Sequence, residues 1–152
     1  MNITSKKDIG FTIVELLVVI VVIGILAAIT MVSYSGVKNK ADTAKNQSNA
    51  SSIQKAVASY YASNGSYPAW TTDSAGTIGA INATTNVAKA PTNITLVNAA
   101  ATAGTNIGYV VTADPGVCIS FWDYTPTAGV RYIGVGDVTL TGNTNGYATA
   151  CS

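Results

Sequence analysis

The sequence predicts an α+β chain. A long N-terminal helix, apolar in its first half and amphipathic in its second, packs on a small antiparallel β-sheet head. Three observations carry this expectation. From Phe11 to Val37 the only charged side chain is Glu15. No Pro or Gly breaks the chain between Val37 and Asn64. The C-terminal third alternates strand-like runs with turn signals.

The apolar run comes first in the chain. Leu16 to Val32 contains only Leu, Val, Ile, Ala and Met, with one Gly and one Thr. With Phe11 to Val14 it reaches the roughly 20 residues that cross a bilayer's hydrocarbon core. Lys6 and Lys7 precede it and would hold the short N-terminus on the cytoplasmic side. An ordinary secretory signal has a shorter apolar core and a small-x-small cleavage site after it. This run is long, and no convincing A-x-A site follows. A simple signal anchor remains the plain alternative. Glu15 is the feature that such an anchor does not need. An ionised carboxylate near a membrane core costs about 2.5–3.5 kcal/mol on insertion scales and usually has a function. The bland alternative places Glu15 at the membrane edge, reaching the headgroups.

The helical pattern continues past the apolar run. Lys38, Lys40, Asp42 and Lys45 mark emergence into water. Ala50, Ile53, Val57, Tyr60 and Tyr61 then fall on one helical face. One helix from about Phe11 to Ser63 is expected, stopping at the C-cap pair Asn64-Gly65. Residues 65–105 are rich in Gly, Ala, Thr, Asn and Ser, which predicts an irregular segment with one short element around Ile94 to Val97. Strands are expected at Ile107–Thr112, Val117–Tyr124 and Val130–Val135, with turns at Asp114-Pro115-Gly116 and Pro126 to Gly129. Val117, Ile119 and Phe121 alternate with Cys118, Ser120 and Trp122, as in a strand with two distinct faces.

Composition limits the chemistry. The chain has 152 residues, 8 Lys+Arg, 7 Asp+Glu and no His, for a net charge of +1. No strongly basic field exists for nucleic acid, so no specific nucleic-acid partner is expected. Without His there is no Ser-His-Asp or Cys-His arrangement, and Gly134-Val135-Gly136 lacks the context of a phosphate loop. An enzyme is not expected. Asp73, Asp114, Asp123 and Asp137 are spread over loops and turns, and solvated turn residues are their default reading. N-x-S/T triplets begin at Asn46, Asn49, Asn64, Asn82 and Asn93, which chance explains in so Asn- and Thr-rich a chain. Cys118 and Cys151 form an even pair, which in an extracytoplasmic chain invites a disulfide. Two buried free thiols are the alternative, and a metal site lacks enough soft ligands.

Lys6-Lys7-Asp8-Ile9-Gly10-Phe11-Thr12-Ile13-Val14-Glu15 resembles the leader junction of type IV prepilins and pseudopilins. The likeness extends over about residues 6–35. Tyr60-Tyr61-Ala62-Ser63-Asn64-Gly65-Ser66-Tyr67-Pro68 is similar to the helix end of small pilins and major pseudopilins. The resemblance implies that residues 1–10 are a leader, cut after Gly10 by a dedicated prepilin peptidase, and that Phe11 becomes the N-methylated first residue. Residues 11–37 would then be the membrane and filament-core helix, and residues 38–152 the helix continuation and head.

It also implies that Glu15 sets subunit register by pairing with the Phe11 amine of a neighbouring copy. In pilins a C-terminal disulfide bounds a surface loop, a role that Cys118 and Cys151 fit. Related pseudopilins bind calcium near the C-terminus, which keeps calcium open as a cofactor. Many family members carry a Pro where this chain has Met31-Val32-Ser33; without it, Gly24 is the weak point that remains for local melting of this helix. The resulting expectation is a homopolymer built by an assembly platform and its ATPase. The subunit starts as a single-pass protein of the cytoplasmic membrane and ends in an extracellular type IV pilus. The alternative is a pseudopilin of a type II secretion or DNA-uptake machine. A non-polymerising, membrane-anchored binding module is the reading of another class.

Overall fold

A computed structural model describes residues 10–104, 106–112, 116–143, 148 and 150–152. The leader residues Lys6, Lys7 and Asp8, and the turn residues Asp114 and Pro115, lie outside the described residues. The chain divides between Lys38 and Asn39 into two compact units. Helix α1 spans Ile13–Asn64 as one uninterrupted element of 52 residues. It passes through Gly24 without a break, as expected where no Pro removes a backbone donor.

In the first unit every large apolar side chain of the run is exposed, from Phe11 at 93% to Val22 at 48%. A surface this apolar is not left in water by a stable protein. The helix is long and apolar enough to cross a membrane. Thr30, Ser33 and Ser35 direct their hydroxyls back to the carbonyls of Ala27, Ile29 and Val32, so even these polar groups are satisfied within the helix.

The second unit begins with the amphipathic half of α1. Ala50, Ile53, Ala56 and Val57 are fully buried. Tyr60 and Tyr61 were expected on the same face, but they lie at its edge. Tyr61 is 40% exposed and stacks on Tyr67 at 4.4 Å between ring centroids. The helix ends where the sequence indicates. Gly65 takes φ 70° and its amide donates to the Tyr61 carbonyl at 2.8 Å, while Asn64 Nδ2 donates to the Tyr60 carbonyl at 3.0 Å.

The segment 65–105 is more ordered than its composition suggests. It holds helix α2, Ser74–Ala83, besides strand β1, Thr95–Val97. The helix contains Gly76 and Gly79, which weaken local propensity. Two other effects offset this. Asp73 caps the N-terminus, its Oδ1 accepting from Gly76 N at 2.7 Å. Thr77, Ile78 and Ile81 are buried in the core.

Strands β2 (Asn106–Val111), β3 (Gly116–Asp123) and β4 (Gly129–Gly136) follow at the expected places. The sheet order is β1-β2-β3-β4. β2–β3 and β3–β4 are antiparallel, but β1 pairs with β2 in parallel, with Leu96 opposite Ile107. A small second sheet pairs β5, Leu140–Thr141, with β6, Ala150–Cys151.

Strand β3 does not show two contrasting faces. Every residue from Gly116 to Phe121 is buried. Val117, Ile119 and Phe121 join α1 and α2 side chains in the core. The opposite face is covered too: Ser120 Oγ accepts from Ala101 N at 2.8 Å, and Cys118 is bonded to Cys151. Gly108 lies opposite Ser120, and a Cβ there would collide with Ser120 Oγ and the Ala99 carbonyl, so only glycine lets this segment close over the sheet. Tyr109 is fully buried and donates its hydroxyl to the Pro68 carbonyl. Burial, with Tyr60 nearby, pushes this phenol well above its ordinary range.

Candidate assembly site

Thr12 is the residue that the sequence reading missed. The helix does not begin at Phe11; residues 10–12 are non-helical and α1 starts at Ile13. The reason is a reciprocal pair. Thr12 Oγ1 accepts from Glu15 N at 3.2 Å, while Thr12 N and Thr12 Oγ1 each donate to Glu15 Oε2 at 2.8 Å. This is a capping box, whose signature is Ser or Thr followed three residues later by Glu or Gln. Thr12-Ile13-Val14-Glu15 carries that signature in plain view, beside the membrane-edge and intermolecular readings of Glu15. Within the single chain its carboxylate already completes the helix start, and its negative charge sits favourably at the helix N-terminus.

Gly10 and Phe11 stand just before the cap. Both are exposed, and a Cβ on Gly10 would meet nothing within 4 Å. The peptide bond between them is therefore outside the helix and open to approach. Any demand for glycine at this position comes from an enzyme that reads it, not from this fold.

At the other end of the chain, Cys118 and Cys151 form a disulfide with an S–S distance of 1.96 Å and Cα atoms 6.0 Å apart. It ties the centre of β3 to β6 and so fixes the C-terminal residues on the sheet. The carboxylates do not converge. Asp73 caps α2, Asp123 faces Arg131, Asp137 is exposed, and Asp114 lies outside the described residues. Among the described residues no group of three potential metal ligands comes together.

Asp123 and Arg131 are each 4% exposed by side chain and lie 3.4 Å apart, Oδ2 to Nε. That contact is coulombic rather than an aligned hydrogen bond. The remaining groups are satisfied around it. Asp123 Oδ1 accepts from Thr43 Oγ1 at 3.2 Å and Thr125 N at 2.9 Å, and Arg131 Nη2 donates to the Thr127 carbonyl at 2.7 Å. Thr43 also accepts from Tyr124 N at 2.9 Å, and Asn46 Nδ2 donates to the Trp122 carbonyl at 3.0 Å. These polar bonds join α1 to the β3–β4 hairpin. They also account for Asn46, whose buried amide serves the core. Asn82 is committed likewise, bonding Ala90 in both directions.

Residues 5–31 match the prokaryotic N-terminal methylation motif. The N-terminal segment is that of the type IV pilin and pseudopilin family. Its relatives within that family point in one direction. The type II secretion system core protein G of Escherichia coli (strain K12) is 40% identical over 68 residues, covering 45% of this chain and 46% of that protein. The same protein of Aeromonas hydrophila is 38% identical over 64 residues, covering 42% and 45%. That of Vibrio cholerae is 38% identical over 68 residues, covering 45% of each. The matched segment thus spans less than half the length of these relatives. No solved structure gives a significant match. Because these relatives are secretion-system proteins, the surface-pilus reading yields to the pseudopilin alternative.

Proposed function

We propose that this chain is a structural subunit of a periplasmic pseudopilus in a type II secretion machine. The observation that carries this reading is the similarity to core protein G, together with a prepilin motif on an apolar helix whose large side chains are exposed among the described residues. Prepilin peptidase cuts after Gly10, and Phe11 is N-methylated. The apolar half of α1 then holds the subunit in the cytoplasmic membrane. Assembly moves that helix from lipid into a shared protein core, so apolar contact is kept throughout.

Glu15 has a second task in that core. Cleavage creates the Phe11 amine, and a buried carboxylate needs a partner of this kind. The Phe11 amine of the neighbouring copy supplies it. Both donors of Thr12 fall on Oε2, which leaves Oε1 without a hydrogen bond among the described residues and open to an incoming cation. The Asp123 carboxylate faces Arg131, which stands against a calcium-ligand role for that group.

A deletion strain tests the function. Loss of the gene should trap exported proteins in the periplasm while surface filaments persist. The surface pilus is the second reading, favoured by the Cys118–Cys151 disulfide that closes the head as in pilins. It predicts the reverse outcome: normal secretion and lost surface filaments.

A further inference from the structure

Five of the nine described charged side chains of the second unit are engaged within the chain, and the four exceptions are informative. Among the described acids, Glu15 is held by Thr12, Asp73 caps α2, Asp123 faces Arg131 and Asp42 is engaged. Asp137 alone is exposed with no hydrogen bond or ion pair among the described residues. It follows Gly136, whose φ of 80° turns the chain out of β4 towards β5, and the Val138 amide closes that turn on the Gly136 carbonyl at 3.1 Å. The carboxylate is therefore displayed on a short, hydrogen-bonded turn rather than on a loose loop.

The cations left unmatched among the described residues all lie on one element. Lys89 donates to the carbonyls of Asn82 and Thr84, Arg131 is buried, and Lys38 is engaged. Lys40, Lys45 and Lys55 remain, all exposed and all on α1. At ~100° per residue they fall within roughly 140° of the helix circumference. The buried residues Asn46, Ala50, Ile53, Ala56 and Val57 occupy a separate arc. Between the lysines this open face carries Ala44, Ser48 and Ala58, all exposed and small. Small side chains let another surface approach closely, and lysines at the margin select an acidic one.

We propose that the Lys40–Lys45–Lys55 face of α1 receives the Asp137 turn of a second copy of this chain. The inference rests on the polymer reading above. A fibre with one kind of subunit grows by head-to-tail contacts, which need two different and complementary surfaces on each copy. This unit offers one basic helix face and one exposed acid. Pairing them uses charges that the chain itself leaves unmatched.

A zero-length carbodiimide, which joins a carboxylate and an amine already in contact, tests the pairing on fibres of the full-length protein recovered from the periplasmic fraction. Mass spectrometry should find Asp137 joined to Lys40, Lys45 or Lys55. The linkage should be absent from detergent-dispersed monomer and from Asp137→Asn. Asp137→Lys should reduce fibre yield about tenfold, since like charges then face each other. Reversing the lysine that carries the linkage to Asp should restore it. Wild-type fibres without that linkage, together with normal fibres from Asp137→Lys, would overturn the pairing and leave the polymer reading intact. Linkage of these lysines to a different protein, with none to Asp137, would overturn it as well. No fibres from the wild-type chain would remove both.

Discussion

Thr12 and Glu15 satisfy each other at the start of α1: the threonine hydroxyl accepts from the glutamate amide, and the glutamate carboxylate accepts from both threonine donors. This local pair fixes where the helix begins, two residues beyond the Gly10–Phe11 bond. It also orients the carboxylate before any neighbour arrives. The group proposed to set register in the fibre is thus already positioned by the fold of one chain.

Thr12→Val keeps the size of the side chain and removes the cap. Losing such a cap costs about 1 kcal/mol. Hydrogen exchange of the Glu15 amide in detergent-solubilised protein should therefore speed up about fivefold, because ~1.4 kcal/mol corresponds to a factor of ten. Exchange beyond Ile20 should not change. An unaltered Glu15 amide would mean that the capping bonds carry no weight at the helix start.

Processing is decided at Gly10. The mature protein should begin at Phe11 and carry a methyl group on its amine, as intact-mass and N-terminal peptide spectrometry would record. Gly10→Val should leave the leader attached. The open space around Gly10 makes this a clean test, since a larger residue disturbs nothing in the chain itself. A mature chain starting at Met1, or after Ala28, contradicts the account.

The disulfide should stabilise the head. Cys151→Ser should lower its unfolding free energy by about 2–4 kcal/mol, the usual range for a native bridge. Alkylation of exported protein without reductant should label neither cysteine. Rapid labelling of both would show that the bridge does not form in the cell.

Tyr109 sets an alkaline limit. Its folded-state pKa is raised, so the folded protein keeps a proton that the unfolded chain loses near pH 10. The stabilisation is complete below that pH and declines above it, by about 1.4 kcal/mol per pH unit for one proton. Denaturant titrations between pH 9.5 and 11.5 should show a shallower decline in Tyr109→Phe. Equal slopes would place the alkaline lability elsewhere.

Much of this was legible in the sequence because the signals were local or strongly periodic. The apolar run, the Asn64-Gly65 stop and the three main strands all arise from such patterns. Helix α2 was hidden, because its two glycines lower propensity while its support comes from the Asp73 cap and from core contacts distant in sequence. The double burial of β3 was hidden for a related reason: the covering segment around Ala101 and the Cys118–Cys151 bond join residues far apart in the chain. The parallel β1–β2 pairing likewise depends on how the chain returns between the strands. The pair Asp123–Arg131 could not be distinguished from solvated turn charges until the hairpin brought the two together.

The central claim is that Glu15 joins one subunit to the next through the Phe11 amine. Glu15→Leu removes the capping bonds to Thr12 at the first turn but keeps the apolar helix beyond it and eases membrane insertion, and it leaves that amine unpaired inside the fibre. Removing one partner of a buried pair costs roughly 3–5 kcal/mol, and the cost recurs at every subunit contact. Electron microscopy of fibres recovered from the periplasmic fraction of cells making wild-type or Glu15→Leu protein alone measures this directly. For Glu15→Leu the account predicts normal expression, insertion and cleavage with few or no fibres, whereas abundant normal fibres would contradict it.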